Sequence, residues 1–345
     1  RILMAWANGN KYVSGDTNMS LAAGIYGYEF ANAAELVRDY EGWSREDFQK
    51  FKEWMLRVWY PVSIDFQRRR HDTWSNGVGQ GGIRPGHYWS NWGLCNTLFL
   101  MSLGVLCDDV HIYNQGLSYY KHDQVGDDGW SFIKNRYSYI WDAYQNDDIR
   151  VNTGLNEYID NLVPAVHDDE RGPYGKLGQM QESGRDQGHA CMALGLAVDI
   201  AQVGWNQGDD LWAYHDNRLA AGIEHVAAYN FGGVTDLPWT EYRYADRSTP
   251  WHATWNQTGI AAGSGESRPY WDRIVGHYEG EKGVTMKYAE MAAKALRGTA
   301  GSDGGGHNYG ENSGGYAHLG FTTLMCTRDK LDPAMAPYVL EPYID

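Results

Sequence analysis

The chain has 345 residues and carries 44 Asp and Glu against 29 Lys and Arg, a formal net charge of -15. So acidic a surface repels polyanions at long range, which excludes nucleic acid as an expected partner. With 43% hydrophobic and 21% charged residues the chain reads as folded rather than disordered, and its most continuous apolar run, Thr97 to Cys107, falls short of the roughly 20 residues that cross a bilayer.

Apolar residues return every three or four positions through most of the chain, which predicts helices. In chain order they are Leu21 to Tyr40, Arg45 to Tyr60, Trp89 to Leu106, Asp108 to Lys121, Trp130 to Tyr144, Leu155 to His167, Arg185 to Trp205, Asp210 to Tyr229, Arg268 to Tyr278 and Val284 to Leu296. Ser44 ahead of Arg45-Glu46-Asp47 reads as an N-cap with acids in the first turn, and Gly208-Asp209-Asp210 closes one helix and opens the next. Strand-like alternation is nearly absent. Short connections such as 126–129 and 206–209 allow only near neighbours to be joined, so stacked antiparallel hairpins are expected. No fixed repeat recurs, which disfavours an open solenoid. The expectation is an all-α fold, an incomplete (α/α) toroid (α/α barrel) forming a single catalytic domain over residues 1–345. Its long glycine-bearing loops, Ser75 to His87, Gly232 to Ser267 and Gly298 to Gly315, would line one mouth.

There are 15 Trp and 25 Tyr against 8 Phe. Rings with a polar handle suit surfaces that meet a hydroxylated ligand, such as a carbohydrate cleft, although large rings also fill cores. Cys95 and Cys107 would lie on one helix, too far apart for a disulfide, and no Cys/His spacing for a metal appears. No cofactor is expected. Because the chain begins at Arg1 without Met, a removed export signal and a secreted monomer are the expectation.

The most informative segment is Glu182-Ser-Gly-Arg185-Asp-Gln-Gly-His189 and the helix that follows. His189, Met192, Leu196, Ile200 and Val203 share one helical face, so an apolar stripe begins with an imidazole, and Arg185 stands just ahead of it. Both would emerge near a helix N-terminus, where partial positive charge favours anions. The plainer reading is an Arg/His pair satisfied by Glu182 or Asp186, with Asp186 off the stripe and able to orient a partner.

That run, together with Gly204-Trp-Asn-Gln-Gly-Asp-Asp-Leu211, Asn217-Arg-Leu219, Glu224, Tyr229-Asn230, Ser267-Arg-Pro-Tyr-Trp-Asp272 and His277-Tyr278, resembles the alginate lyase superfamily of polysaccharide lyases. The similarity spans roughly Ala22 to Leu296, includes Tyr60-Pro61 and Ser90-Asn-Trp92, and looks closer to polysaccharide lyase family 38 than to family 5. The resemblance implies an α/α toroid that cleaves uronate-containing polysaccharides, alginate or glucuronan, by metal-independent β-elimination. It also implies an Asn, a His, an Arg and a Tyr at the reacting sugar, and Asn91, His189 and Arg185 match the first three. Tyr244 is the first choice for the Tyr and Tyr242 the reserve.

The chemistry asks for the same groups. Removing the weakly acidic C5 proton of a uronate requires donors that neutralise the adjacent carboxylate as charge develops on it, with a base on C5 and an acid on the departing O4. Further contacts with the sugar chain would come from Trp92, Arg268, Tyr270, Trp271, Arg273, His252 and His307, Trp271 as a stacking surface, while Arg273 could equally pair with a structural acid. Two other functions use the same residues: a glycoside hydrolase drawing on Glu182, Asp186 or Asp272, and a non-catalytic carbohydrate-binding protein.

Overall fold

A computed structural model describes residues 1–15, 18–69, 89–122, 150–151, 162–245, 254–263, 268–298, 317–332 and 334. The chain divides into two compact units, 1–158 with 243–255, and 159–242 with 256–345. The expected helix Trp130 to Tyr144, the loops Ser75 to His87 and most of Gly298 to Gly315, and both His252 and His307 lie outside the described residues.

In the first unit, α1 (Ile2–Gly9), α2 (Asn18–Glu35), α3 (Arg45–Trp54), α4 (Tyr60–Arg69), α5 (Ser90–Cys107) and α6 (Val110–His122) are helical. Ser44 caps α3, its hydroxyl accepting from the Asp47 amide at 3.1 Å. Arg45 to Tyr60 was expected to be one helix. The chain instead runs on to Arg69, with a π-helical segment at Met55–Trp59 immediately before Tyr60-Pro61. Proline brings no amide hydrogen and a ring that crowds the preceding turn, and a locally widened helix accommodates both.

The axis of this unit is α5, buried along nearly its whole length and packed by α2, α4 and α6. It is long and apolar enough to cross a membrane, yet 83% of it is buried within the protein, as in a core helix. It meets α2 almost backbone to backbone: a Cβ at Gly24 would lie 2.7 Å from the Cys95 carbonyl carbon and 2.8 Å from the Asn96 nitrogen. The Arg38 guanidinium ties the chain beyond α2 to the end of α5, donating to the Val105 and Leu106 carbonyls at 3.1 and 2.9 Å. Asp109 then opens α6, accepting from the His111 and Ile112 amides. Much of the aromatic excess is spent here on core rings: Phe30, Phe51 and Trp59 surround Trp54, with centroids 5.2 to 5.8 Å away.

The second unit is also mainly helical, with α7 (Gln187–Gln207), α8 (Tyr214–Asn230), α9 (Trp271–Tyr278), α10 (Lys287–Leu296) and α11 (Thr322–Cys326). Gly208 ends α7 in the left-handed conformation, φ 96°, as the sequence predicts. The start of α8 carries three left-handed residues, His215, Asp216 and Asn217, so regular right-handed helix begins at Arg218. Asn and Asp tolerate that backbone better than other side chains do.

One element departs from the helical expectation. Ala165–Asp168 is not the end of a helix but strand β2, paired antiparallel with β3 (Lys176–Gln179) so that Val166 faces Gly178. Pro164 disfavours helix at the residue before it, and the pairing then takes the extended chain. Three short strands, β1 (Arg150–Val151), β4 (Tyr242–Ala245) and β5 (Thr254–Gln257), form a sheet in the order β1-β4-β5.

Within the second unit a buried carboxylate, Glu224 of α8, caps α10 by accepting from the Tyr288 and Ala289 amides at 3.1 and 2.8 Å. Burial pushes its carboxyl up to about 7, although the two amides oppose the shift.

Two outcomes test this packing. Gly24→Ala should lower the unfolding free energy by about 1–3 kcal/mol in denaturant titrations, because neither backbone at the crossing can withdraw; unchanged stability would show a looser crossing. For Glu224 the folded state holds the proton more tightly than the unfolded chain, so its contribution is full below the ordinary carboxyl range and is lost as pH rises toward 7. The stability difference between the native protein and Glu224→Gln should therefore change across that window, whereas parallel pH curves would contradict the assignment.

Candidate functional site

The Glu182–His189 segment forms one compact polar turn. A 3-10 turn at Gln181–Gly184 leads through Arg185 to Asp186, which is the N-cap of α7. The Asp186 carboxylate accepts from the His189 amide at 2.7 Å and from the His189 ring nitrogen Nδ1 at 2.7 Å. Arg185 donates to the Glu182 carboxylate at 3.1 Å, and its Nε stands 3.6 Å from the Asp186 carboxylate. Two acids, one guanidinium and one imidazole are thus joined in eight residues of chain.

The burial of these groups is graded. The Glu182 side chain is 0% exposed, those of Arg185 and His189 are 21% and 15% exposed, and that of Asp186 is 40% exposed, so the cation and the ring are held from below and reachable from outside. Burial acts to raise the Asp186 carboxyl, but hydrogen bonds from the His189 ring and amide, helped by Arg185, hold it below its ordinary value. An ionised Asp186 makes Nδ1 the protonated ring nitrogen and leaves Nε2 to take or give a proton. The plainer expectation, Arg185 and His189 satisfied by Glu182 and Asp186, therefore holds, and the same contacts orient both side chains.

The other expected residues fall in different settings. Asn91 is the second residue of α5, 1% exposed, and belongs to the first unit. Trp92, one position on, sets its ring against Phe66 with centroids 6.0 Å apart. Tyr242 and Tyr244 both lie on β4, but their side chains are outside the described residues, as are His252 and His307 entirely.

The group around α9 is built into the core. Tyr270 and Trp271 are 1% and 2% exposed, and the Tyr270 hydroxyl donates to the Cys191 carbonyl at 2.7 Å. Trp271 packs edge-on against Phe231, so neither face is open for a sugar to stack on. Arg268 is likewise 1% exposed. Arg273 pairs with Asp199 in mid-α7, whose other oxygen lies 3.5 Å from His318 Nδ1; this is the structural acid that the sequence offered as its alternative. Asp272, a possible hydrolase acid, accepts from Arg297 at 2.8 Å and from the Thr323 hydroxyl at 2.6 Å, which occupies both its oxygens.

The amides around the turn belong to no motif legible in the sequence. Gln187 donates to the Ser183 and Ala261 carbonyls and accepts from Asn230, while Gln179 both accepts from the Thr240 amide and donates to the Thr240 carbonyl, each at 2.7 Å. Among the described residues, no group of three or more His, Cys, Asp or Glu is arranged to hold a metal ion.

Compared with known protein families, residues 2–139 match the family described as Alginate lyase. No curated protein and no solved structure matches the chain. The match ends ahead of the Glu182–His189 turn, whose chemistry stands on its own geometry.

The core role of Arg273 has a measurable consequence. Arg273→Ala leaves the Asp199 carboxylate short of its main partner, so the unfolding free energy should fall by about 3 kcal/mol with the KM for an anionic polysaccharide substrate unchanged. A raised KM at undiminished stability would return Arg273 to the substrate.

Proposed function

We propose that the chain, which matches the alginate lyase family over residues 2–139, is a polysaccharide lyase that cleaves a polyuronate, alginate or glucuronan, by β-elimination, leaving a 4,5-unsaturated uronate end. The observation that carries this reading is the turn in which Arg185 and His189 are oriented by Glu182 and Asp186 while remaining reachable. A guanidinium and an imidazole at the N-terminus of a 21-residue helix suit a carboxylate, and in this reading they, with the helix dipole, take the place of a metal ion in the elimination.

In the reaction the C5–H bond breaks, the electron pair forms the C4–C5 double bond, and the C4–O4 bond breaks with a proton delivered to O4. Arg185, together with His189 in its doubly protonated form donating from Nε2, stabilises the charge that gathers on the C5 carboxylate as the proton leaves. The proton transfers are assigned to Tyr244, with Tyr242 as the alternative, and amide donation to the carboxylate is assigned to Asn91, as the resemblance implies. The motifs favour polysaccharide lyase family 38, and a single toroid domain and a secreted monomer belong to the same reading. Hydrolysis is the weaker reading, because Glu182 is bonded to Arg185, Asp186 to the cap amide and ring of His189, and Asp272 on both its oxygens.

Incubation with alginate and with glucuronan should release product that absorbs in the ultraviolet through its new double bond. New reducing ends without that absorbance would mean hydrolysis, and no new ends would mean binding alone. His189→Ala should abolish the absorbance with the helical circular dichroism intact. Asp186→Asn retains an N-cap residue for α7 but loses the charge that holds the ring, and should lower kcat about a hundredfold. Wild-type turnover in either variant would remove the turn from the mechanism.

A further inference from the structure

Gln257, the last residue of β5, is 2% exposed, and among the described residues neither its amide oxygen nor its amide nitrogen has a hydrogen-bond partner. Buried amides are rarely left in that state, so the position has a use that outweighs the lost bonds. Its side chain lies directly on the backbone of Gly184, within the turn that presents Arg185 and Asp186. A Cβ at residue 184 would come within 2.7 Å of both the Cβ and the Cδ of Gln257. Since the conflict reaches the root of the glutamine side chain, swinging its amide away cannot relieve it. Residue 184 is therefore glycine for reasons of space, and Gln257 is what fills that space.

The surrounding bonds fix both sides of this contact. The Ala261 amide donates to the Ser183 carbonyl at 2.9 Å, and the Gln187 amide bridges the carbonyls of Ser183 and Ala261 at 3.1 and 3.0 Å. On its other side, the Gln257 carbonyl accepts from Trp239 Nε1 at 3.0 Å, and the adjacent Thr240 is held by Gln179. Trp239 and Thr240 run directly into β4, the strand of Tyr242 and Tyr244. The segment 257–261 is thus bonded both to the turn that bears Arg185 and to the chain entering the tyrosine strand.

We infer that Gln257 is a positioning residue for the elimination: by close fit against Gly184 it sets the turn from which Arg185 and the Asp186–His189 pair face the substrate. The inference rests on the lyase reading above. Gln257 touches no substrate and acts through the backbone of residue 184, so misplacing it should reduce the rate of the chemical step more than the binding of the polymer.

The test is a two-residue cycle with two readouts. Gly184→Ala should lower kcat on the preferred polyuronate by about tenfold or more while KM moves less than about twofold, since displacement by a fraction of an ångström is felt mainly in the transition state. Adding Gln257→Gly, which clears the space, should recover part of that loss, so that the double variant is faster than Gly184→Ala alone. The second readout needs no turnover: the His189 imidazole nitrogen resonances should shift in Gly184→Ala and return toward native values in the double variant. If Gly184→Ala fails to fold, Gln257→Asn, which shortens the filler, should show the same kcat loss and the same resonance shift. Additive losses in the cycle, or His189 resonances unmoved by either substitution, would overturn the inference. A native protein without eliminase activity whose His189 resonances follow the cycle would instead defeat the lyase reading and leave the contact in place.

Discussion

One carboxylate, that of Asp186, sets both the start of α7 and the orientation of His189. Asp186 caps the helix by accepting the His189 amide, and the ring of the same histidine folds back to place Nδ1 on that carboxylate. The coincidence follows from helix geometry: an N-cap side chain reaches the amide three residues on, and when that residue is histidine its ring falls within reach as well. Capping alone is worth about 1 kcal/mol to a helix. Here the same carboxylate also fixes, through its contact with Nδ1, which ring nitrogen carries the proton. Glu182 does for Arg185 what Asp186 does for His189, from a side chain that solvent does not touch.

Such a turn is useful only if what lies beneath it is rigid, and the body of α7 provides that support. From Ala190 to Ala201 it is buried on all sides, and its mid-helix acid Asp199 is held by Arg273 and His318. The aromatic residues serve the same end. His277 stacks on Trp212 at 4.4 Å with Trp205 edge-on, and Tyr270 is bonded to the α7 backbone. A composition that could have meant a sugar-lined cleft is, across the described residues, largely the material of two dense cores. Preorganised donors keep their advantage in the transition state only when the scaffold does not relax around them.

Much of this was legible in the sequence because it is local. Ser44, Gly208 and the long apolar helices are governed by spacings of three and four residues, and Glu182, Arg185, Asp186 and His189 lie within two turns of each other. Trp271 lies in the core instead of on a sugar-facing surface. Taken beside Arg268 and Arg273 it looked like a surface for sugar, but Trp271, Ile274, Val275 and Tyr278 follow the helical core spacing, and that periodicity, not the charged neighbours, decided its place. Ala165 to Asp168 went to a strand because its partner, Lys176 to Gln179, lies across a turn that helical periodicity does not report. The fit of Gln257 onto Gly184 joins positions with no periodic relation at all, and it becomes visible only in three dimensions.

The central claim is that the Arg185 and His189 pairs hold the acid group of the sugar. The most direct measurement is a crystal structure of the inactive His189→Ala protein with an uncleaved oligouronate bound. The account predicts a sugar carboxylate within hydrogen-bonding distance of the Arg185 guanidinium, with the Glu182 contact retained beneath it. An oligouronate bound elsewhere, with no sugar carboxylate at Arg185, would contradict it.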